Sequence, residues 1–325
     1  MDPSHTSERN LPDIVTFTIN PAVDISTSVD RVRPVHKLRC APAQRDAGGG
    51  GINVARVVRR LEADVLAVYT AGGPIGQHLK RLVEQEGIRS LAIAIRDDTR
   101  ENLAVVEDAT SAQYRFVLPG PALAESEWRG CIDTLAALKD KPRFVVASGS
   151  LARGVPNDFY GRLVAAMRGS GAKVAVDTSG LPLRRALDAG VYLIKPNLRE
   201  MRELAGAALD CDDDCVAAAR ALVKQGRTEV VALTLGHYGA MLVTREYVLR
   251  ADAVPIKPVS TVGAGDSFLG AMVARLASGH DLEDAFRYGV AAGSAALLAH
   301  GTELARREDV ERLLSAVSLR EVKRR

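Results

Sequence analysis

The chain has 325 residues, 47% apolar and 26% charged, which excludes disordered and collagen-like classes and leaves roughly three-quarters of the unfolded chain's surface to be buried in a core. Lys and Arg exceed Asp and Glu by 43 − 40 = +3, too little for a global field that would recruit nucleic acid or an anionic membrane. Anionic ligands must therefore be held by local arrangements. The longest uncharged apolar stretch, Val290 to Ala299, is about half of what a bilayer requires, so no membrane partner is expected.

From the amino end, Met1 to Pro12 is polar and lacks the apolar core of a signal peptide, which reads as a disordered leader and places the protein in the cytoplasm. Strands are predicted at Ile14–Ile19, Val65–Thr70, Phe144–Ser148, Lys173–Asp177, Val191–Lys195 and Val230–Leu235, several of them near-continuous apolar runs suited to burial on both faces. Helices alternate with them, at Ile52–Leu61, Gly76–Glu86, Asp158–Arg168, Val216–Gln225 and Ser267–Ala277, with apolar residues three and four apart. This alternation predicts a three-layer α/β/α body around a mostly parallel sheet, with ligands at the carboxyl ends of the strands. Val29 to Asp46 and Leu91 to Val117 break the pattern. Short extended runs at Leu91–Ile95, Leu103–Glu107 and Gln113–Val117 read as a small antiparallel sheet, a discontinuous lid over about 25–46 and 91–118 that also dimerises. The body would span 13–318, followed by a basic tail, 319–325. Cys211 and Cys215 flank three aspartates, but no second ligand pair follows, and the segment reads as an acidic helix start.

Four segments could carry chemistry. Thr261-Val262-Gly263-Ala264-Gly265-Asp266 leads small residues into a helix, whose free N–H groups would cradle an anion, with Asp266 placed to accept a hydroxyl proton; the same Asp would also serve as a stabilising helix-start residue. Gly48-Gly49-Gly50-Gly51-Ile52-Asn53 permits close backbone approach and offers an amide for hydroxyls, or is simply a flexible loop; it matches neither a dinucleotide fingerprint nor a P-loop. Asn197 and Glu200 have capping-box spacing, while Glu200 and the strand-end Asp177 would also suit a water-bound magnesium ion. Asp24 ends the first strand, where it could meet sugar hydroxyls, and Lys37 and Arg100 could hold a phosphate or be solvated surface charges.

The order Asn-Pro-x-x-Asp, Gly-Gly-Gly-Gly-Ile-Asn, Lys-Pro-Asn-x-x-Glu, Thr-Val-Gly-Ala-Gly-Asp-Ser, from about Ile14 to Thr302, resembles the ribokinase-type sugar kinases of the PfkB family. Lys37-Leu38-Arg39-Cys40, Thr99-Arg100-Glu101-Asn102 and Gln113-Tyr114-Arg115-Phe116-Val117 are similar to the phosphofructokinases within it. The resemblance implies a ribokinase-like fold and ATP-dependent phosphorylation of a sugar phosphate, fructose 6-phosphate to fructose 1,6-bisphosphate, with 1-phosphofructokinase or tagatose-6-phosphate kinase as alternatives. It makes Asp266 the general base and Gly263, Ala264 and Gly265 the anion hole. Asp24, Gly49, Asn53 and Ser150 would bind the sugar, Arg100 its phosphate, and Lys37 would lie near a phosphate. Lys195, Asn197, Thr234, Gly236, Gly239, Thr261 and Ser294 would line the nucleotide site, with Mg²⁺ at Glu200 and Asp177. A K⁺ ion would take backbone oxygens of Ser260, Val262, Ala296, Ala299 and Gly301. A homodimer through the lid is implied. A catalytically silent sugar-nucleotide sensor is the alternative from another class, and the presence of Asp266, both anion-hole glycines and Glu200 argues against it.

Overall fold

The computed structural model describes residues 11–299 and 303–322. Its elements in chain order begin with β1 (Ile14–Thr18), β2 (Ala22–Val29), β3 (Gln44–Gly48), α1 (Gly50–Arg60), β4 (Val65–Ala71), α2 (Gly73–Gln85), β5 (Arg89–Ala94), β6 (Arg100–Glu107) and β7 (Ala112–Val117). There follow α3 (Glu125–Ala136), β8 (Phe144–Ser148), α4 (Phe159–Arg168), β9 (Lys173–Asp177), α5 (Gly180–Asp188), β10 (Val191–Ile194), α6 (Leu198–Ala205), α7 (Asp212–Lys224) and β11 (Thr228–Thr234). A 3₁₀ turn (Gly236–Tyr238) leads to β12 (Ala240–Val243), β13 (Val248–Ala251), α8 (Ala264–Ala277), α9 (Leu282–Ala296), α10 (Arg307–Leu314) and β14 (Leu319–Glu321).

Among the described residues the main sheet has the order β14-β13-β12-β11-β10-β9-β8-β1-β4-β5. The seven strands from β11 to β5 pair in parallel, and β12 to β14 add an antiparallel edge. Side chains alternate across the sheet. Ile14, Val146 and Tyr69 join the core formed with α1, α2, α8, α9 and α10, while Val15, Phe17 and Val145 join the one formed with α3 to α7. β1 and β8 are buried at every position, as their unbroken apolar sequences require. The result is a three-layer α/β/α sandwich around a mostly parallel sheet, with the ends of β1, β8, β9, β10 and β11 all at the carboxyl edge.

The second, smaller sheet has the order β3-β2-β6-β7 and is formed by segments expected in the lid. It differs from the sequence expectation in two respects. The run Leu91–Ile95 is not part of it, because β5 pairs in parallel with β4 at the edge of the main sheet. The lid is mixed rather than antiparallel, since β2 and β6 run parallel over eight residue pairs. Residues 319–321, expected in the basic tail, form the edge strand β14 against β13. Among the described residues no helix is long and apolar enough to cross a membrane.

Candidate active site

α8 opens at Gly263, whose left-handed backbone (φ 72°) only glycine adopts freely, and where an added Cβ would also run into Leu304. The first N–H groups of the helix have no intrahelical partner and point into the cleft with the positive end of the helix dipole. Asp266 lies in this first turn, partly open to the cleft but otherwise surrounded by protein. Its Oδ2 accepts a bond from Asn53 Nδ2 at 2.9 Å, which joins the two glycine-led helix starts on one face of the sheet. Burial first, and then the negative charge of Asp177, push the Asp266 carboxyl up to about 7, against the opposing pull of Asn53 and Lys195.

Lys195 follows β10 and is 7% exposed. Burial would lower its affinity for a proton, but Asp177, Asp266 and Glu200 together hold the ammonium above its ordinary value. Its Nζ is 3.4 Å from Asp177 Oδ1, and a Cβ at Gly265 would come within 2.9 Å of that nitrogen, so a side chain there would displace the ammonium. Asn197 and Glu200 form the capping box of α6: Asn197 Oδ1 accepts from the Glu200 amide and Glu200 Oε2 from the Asn197 amide, both at 2.9 Å. Burial, and secondarily Asp177, raise the Glu200 carboxyl above its usual range. Glu200, its charge disfavoured by burial and by the neighbouring Asp177, makes with that residue a carboxylate pair that fits a hard divalent cation keeping most of its waters.

On the lid side, Asp24 Oδ1 accepts from Asn102 Nδ2 at 2.8 Å across the β2–β6 pair. Burial raises the Asp24 carboxyl, opposed by Asn102 and by Arg100, Arg56 and Arg115. Arg100, also on β6, donates to the Asn20 carbonyl at 3.0 Å, and Asn20 Nδ2 reaches Ser150 Oγ at 3.3 Å. Gly48 leaves no room for a Cβ beside the Asp24 carboxylate, and at Gly49 (φ 114°) a Cβ would sit 2.8 Å from Thr18 Cγ2. Lys37 is exposed on the loop between β2 and β3 and does not join the cluster.

On the far side of the α8 start, a cavity of about 720 Å³ gathers Asn197, Thr234, Gly236, Gly239, Thr261 and Ser294 with Ala264 and Gly265. Sequence reasoning missed its other wall, which includes Val254, Pro255, Ile256 and Pro258 from the loop after β13 and Phe268 from α8. The proline-rich stretch was the only available signal. Ser260 and Val262 precede α8, Ala296 ends α9 and Ala299 follows it; the Val259 amide bonds the Leu297 carbonyl at 2.7 Å and brings these two segments together. Gly301 lies outside the described residues.

Residues 18–308 match the family described as pfkB family carbohydrate kinase. The chain belongs to that family. A pfkB-family relative, ATP-dependent 6-phosphofructokinase isozyme 2 of Mycobacterium tuberculosis, is 45% identical over 94% of this chain and 90% of its own. The Escherichia coli phosphofructokinase-2 has been solved with fructose-6-phosphate (TM-score 0.88, 37% identity) and with potassium (TM-score 0.90, 38% identity), each covering 94% of this chain and 99% of that one. A 1-phosphofructokinase of Bacillus subtilis is 31% identical over 94% of this chain and 99% of its own.

Proposed function

We propose that this pfkB kinase transfers the γ-phosphoryl group of ATP to fructose 6-phosphate, giving fructose 1,6-bisphosphate. The observation that carries the reading is Asp266, a carboxyl with a raised proton affinity at the head of α8, between a nucleotide-sized cavity and the polar cluster of Asp24, Asn53 and Arg100. Asp266 takes the proton of the attacking sugar hydroxyl, for which a carboxyl poised near neutrality is well matched. The amides of Gly263, Ala264 and Gly265 receive the charge that builds on the transferred group, and they do so without reorganising. Lys195 stays an ammonium and balances the carboxylates around it.

Asp24, Gly49, Asn53 and Ser150 hold the sugar hydroxyls, and Arg100 holds the phosphate with its planar fork. Lys195, Asn197, Thr234, Gly236, Gly239, Thr261 and Ser294 receive the nucleotide. Asp177 and Glu200 would hold Mg²⁺ through water, which would neutralise phosphate charge, and the carbonyls of Ser260, Val262, Ala296 and Ala299 would suit K⁺. The lid pairs two chains into a homodimer. Phosphorylation of fructose 1-phosphate is a second reading, favoured by the relative of that name.

Coupled ADP release over fructose 6-phosphate, fructose 1-phosphate, tagatose 6-phosphate and free sugars tests the proposal. Fructose 6-phosphate should give the highest kcat/KM; a preference for fructose 1-phosphate installs the second reading, and no turnover with any sugar ends the kinase reading. Asp266→Asn should lower kcat by about 10² to 10⁴. Because the base must be ionised, kcat/KM of the wild type should fall as the pH drops through about 7.

A further inference from the structure

Arg56 is 3% exposed and engages four groups beside the site. It lies on α1 one turn after Asn53. Its Nη1 donates to the Ala47 carbonyl at 3.0 Å and to Asn53 Oδ1 at 3.4 Å. Its Nη2 is 3.6 Å from Asp46, and its Nε forms an ion pair at 2.5 Å with Glu86, the residue that ends α2. The guanidinium is thus clamped between the lid strand β3 and α2.

We propose that Arg56 is a positioning residue that holds the Asn53 side chain as an obligate hydrogen-bond donor to Asp266. The inference rests on Asp266 acting as the base. A guanidinium has only donors, so Asn53 can show it only the carbonyl oxygen, which leaves the amide nitrogen on Asp266. Rotating the Asn53 amide by half a turn would set its NH₂ against the guanidinium. That rotation is what a protonated Asp266 would otherwise favour, because the new carboxylic O–H could then donate to Asn53 Oδ1. Arg56 withholds this stabilisation, so the proton taken from the sugar is not trapped on the base. The charged groups facing Asp266 are Asp177 from β9, Asp24 from β2 and Lys195 after β10. Arg56 also favours the ionised form of Asp24. Losing that effect would lower the proton affinity of Asp266, opposite to the change expected from a freed Asn53.

The test is the pH profile of kcat/KM with ATP and fructose 6-phosphate for wild type, Arg56→Met, Asn53→Ala and the double variant. Arg56→Met should move the acid limb up by about one pH unit, and should move it no further in the Asn53→Ala background. An unmoved limb in Arg56→Met, or the same shift with and without Asn53, overturns the proposal, the latter by showing a through-space effect of charge. Should Arg56→Met fail to fold, the Asn53 side-chain amide resonances of the wild type answer instead. One set that titrates smoothly with Asp266 supports a fixed amide, and a second set on protonation overturns it. An inactive wild type would end the proposed function; an active one with an unmoved limb ends this inference alone.

Discussion

Glu200 shows how one side chain can satisfy two readings of the same sequence. Its spacing from Asn197 predicts a capping box, and the box is formed with both bonds at 2.9 Å. One oxygen suffices for the cap, and burial with Asp177 nearby leaves a carboxyl that a cation would stabilise. Glu200→Gln separates the two roles, because a glutamine at this position still caps the helix. Stability should change by less than about 0.5 kcal/mol, while turnover at low Mg²⁺ falls at least tenfold and recovers partly as Mg²⁺ is raised. Full activity at every Mg²⁺ concentration would return Glu200 to a purely structural role. Residues like this are legible because their signal is local. Arg56 was not, since its partners Asp46 and Glu86 belong to a strand and a helix that only the folded chain brings to it.

At the level of elements, the central strands are legible because burial on both faces demands continuous apolar runs, as in Phe144–Ser148. β5 misled for the converse reason. As the outermost strand of the main sheet it is nowhere fully buried, so Leu91–Ile95 looks like a lid strand. The parallel pairing of β2 with β6 joins segments far apart in sequence and leaves no local trace. The start of α8 was legible, but the reason for its glycine is structural. Gly263→Ala should cost about 1–3 kcal/mol for the left-handed backbone alone, with the Leu304 clash added. Because the turn aims the anion-hole amides, kcat should drop by about 10² while KM for the sugar changes little. A variant with normal kcat and only a lower Tm would detach the turn from the chemistry.

For the molecule as a whole, the balanced net charge is consistent with anions being handled by backbone dipoles and a few clustered side chains. The lid exposes large side chains together on one face: Phe116 is 53% exposed, Tyr114, two residues before it on β7, 37%, and Leu103, its cross-strand partner on β6, 37%. An apolar row of this kind needs a cover, and a second copy of the same sheet provides one. Sedimentation should give a dimer mass, and Phe116→Lys with Leu103→Lys should shift it to monomer and raise KM for fructose 6-phosphate. A wild-type monomer with full activity would rule out the lid as an interface.

Of the chain's four crossings between lid and body, the shortest is a single residue, Gly49, with β3 ending at Gly48 and α1 starting at Gly50. The residues proposed to grip the sugar sit on either side of this joint. A laboratory or natural lineage that retunes the loop for another sugar therefore also resets the angle at which the lid stands. Substrate choice and subunit pairing cannot drift independently, and a swap of this loop between relatives should succeed only when β2 and β3 travel with it.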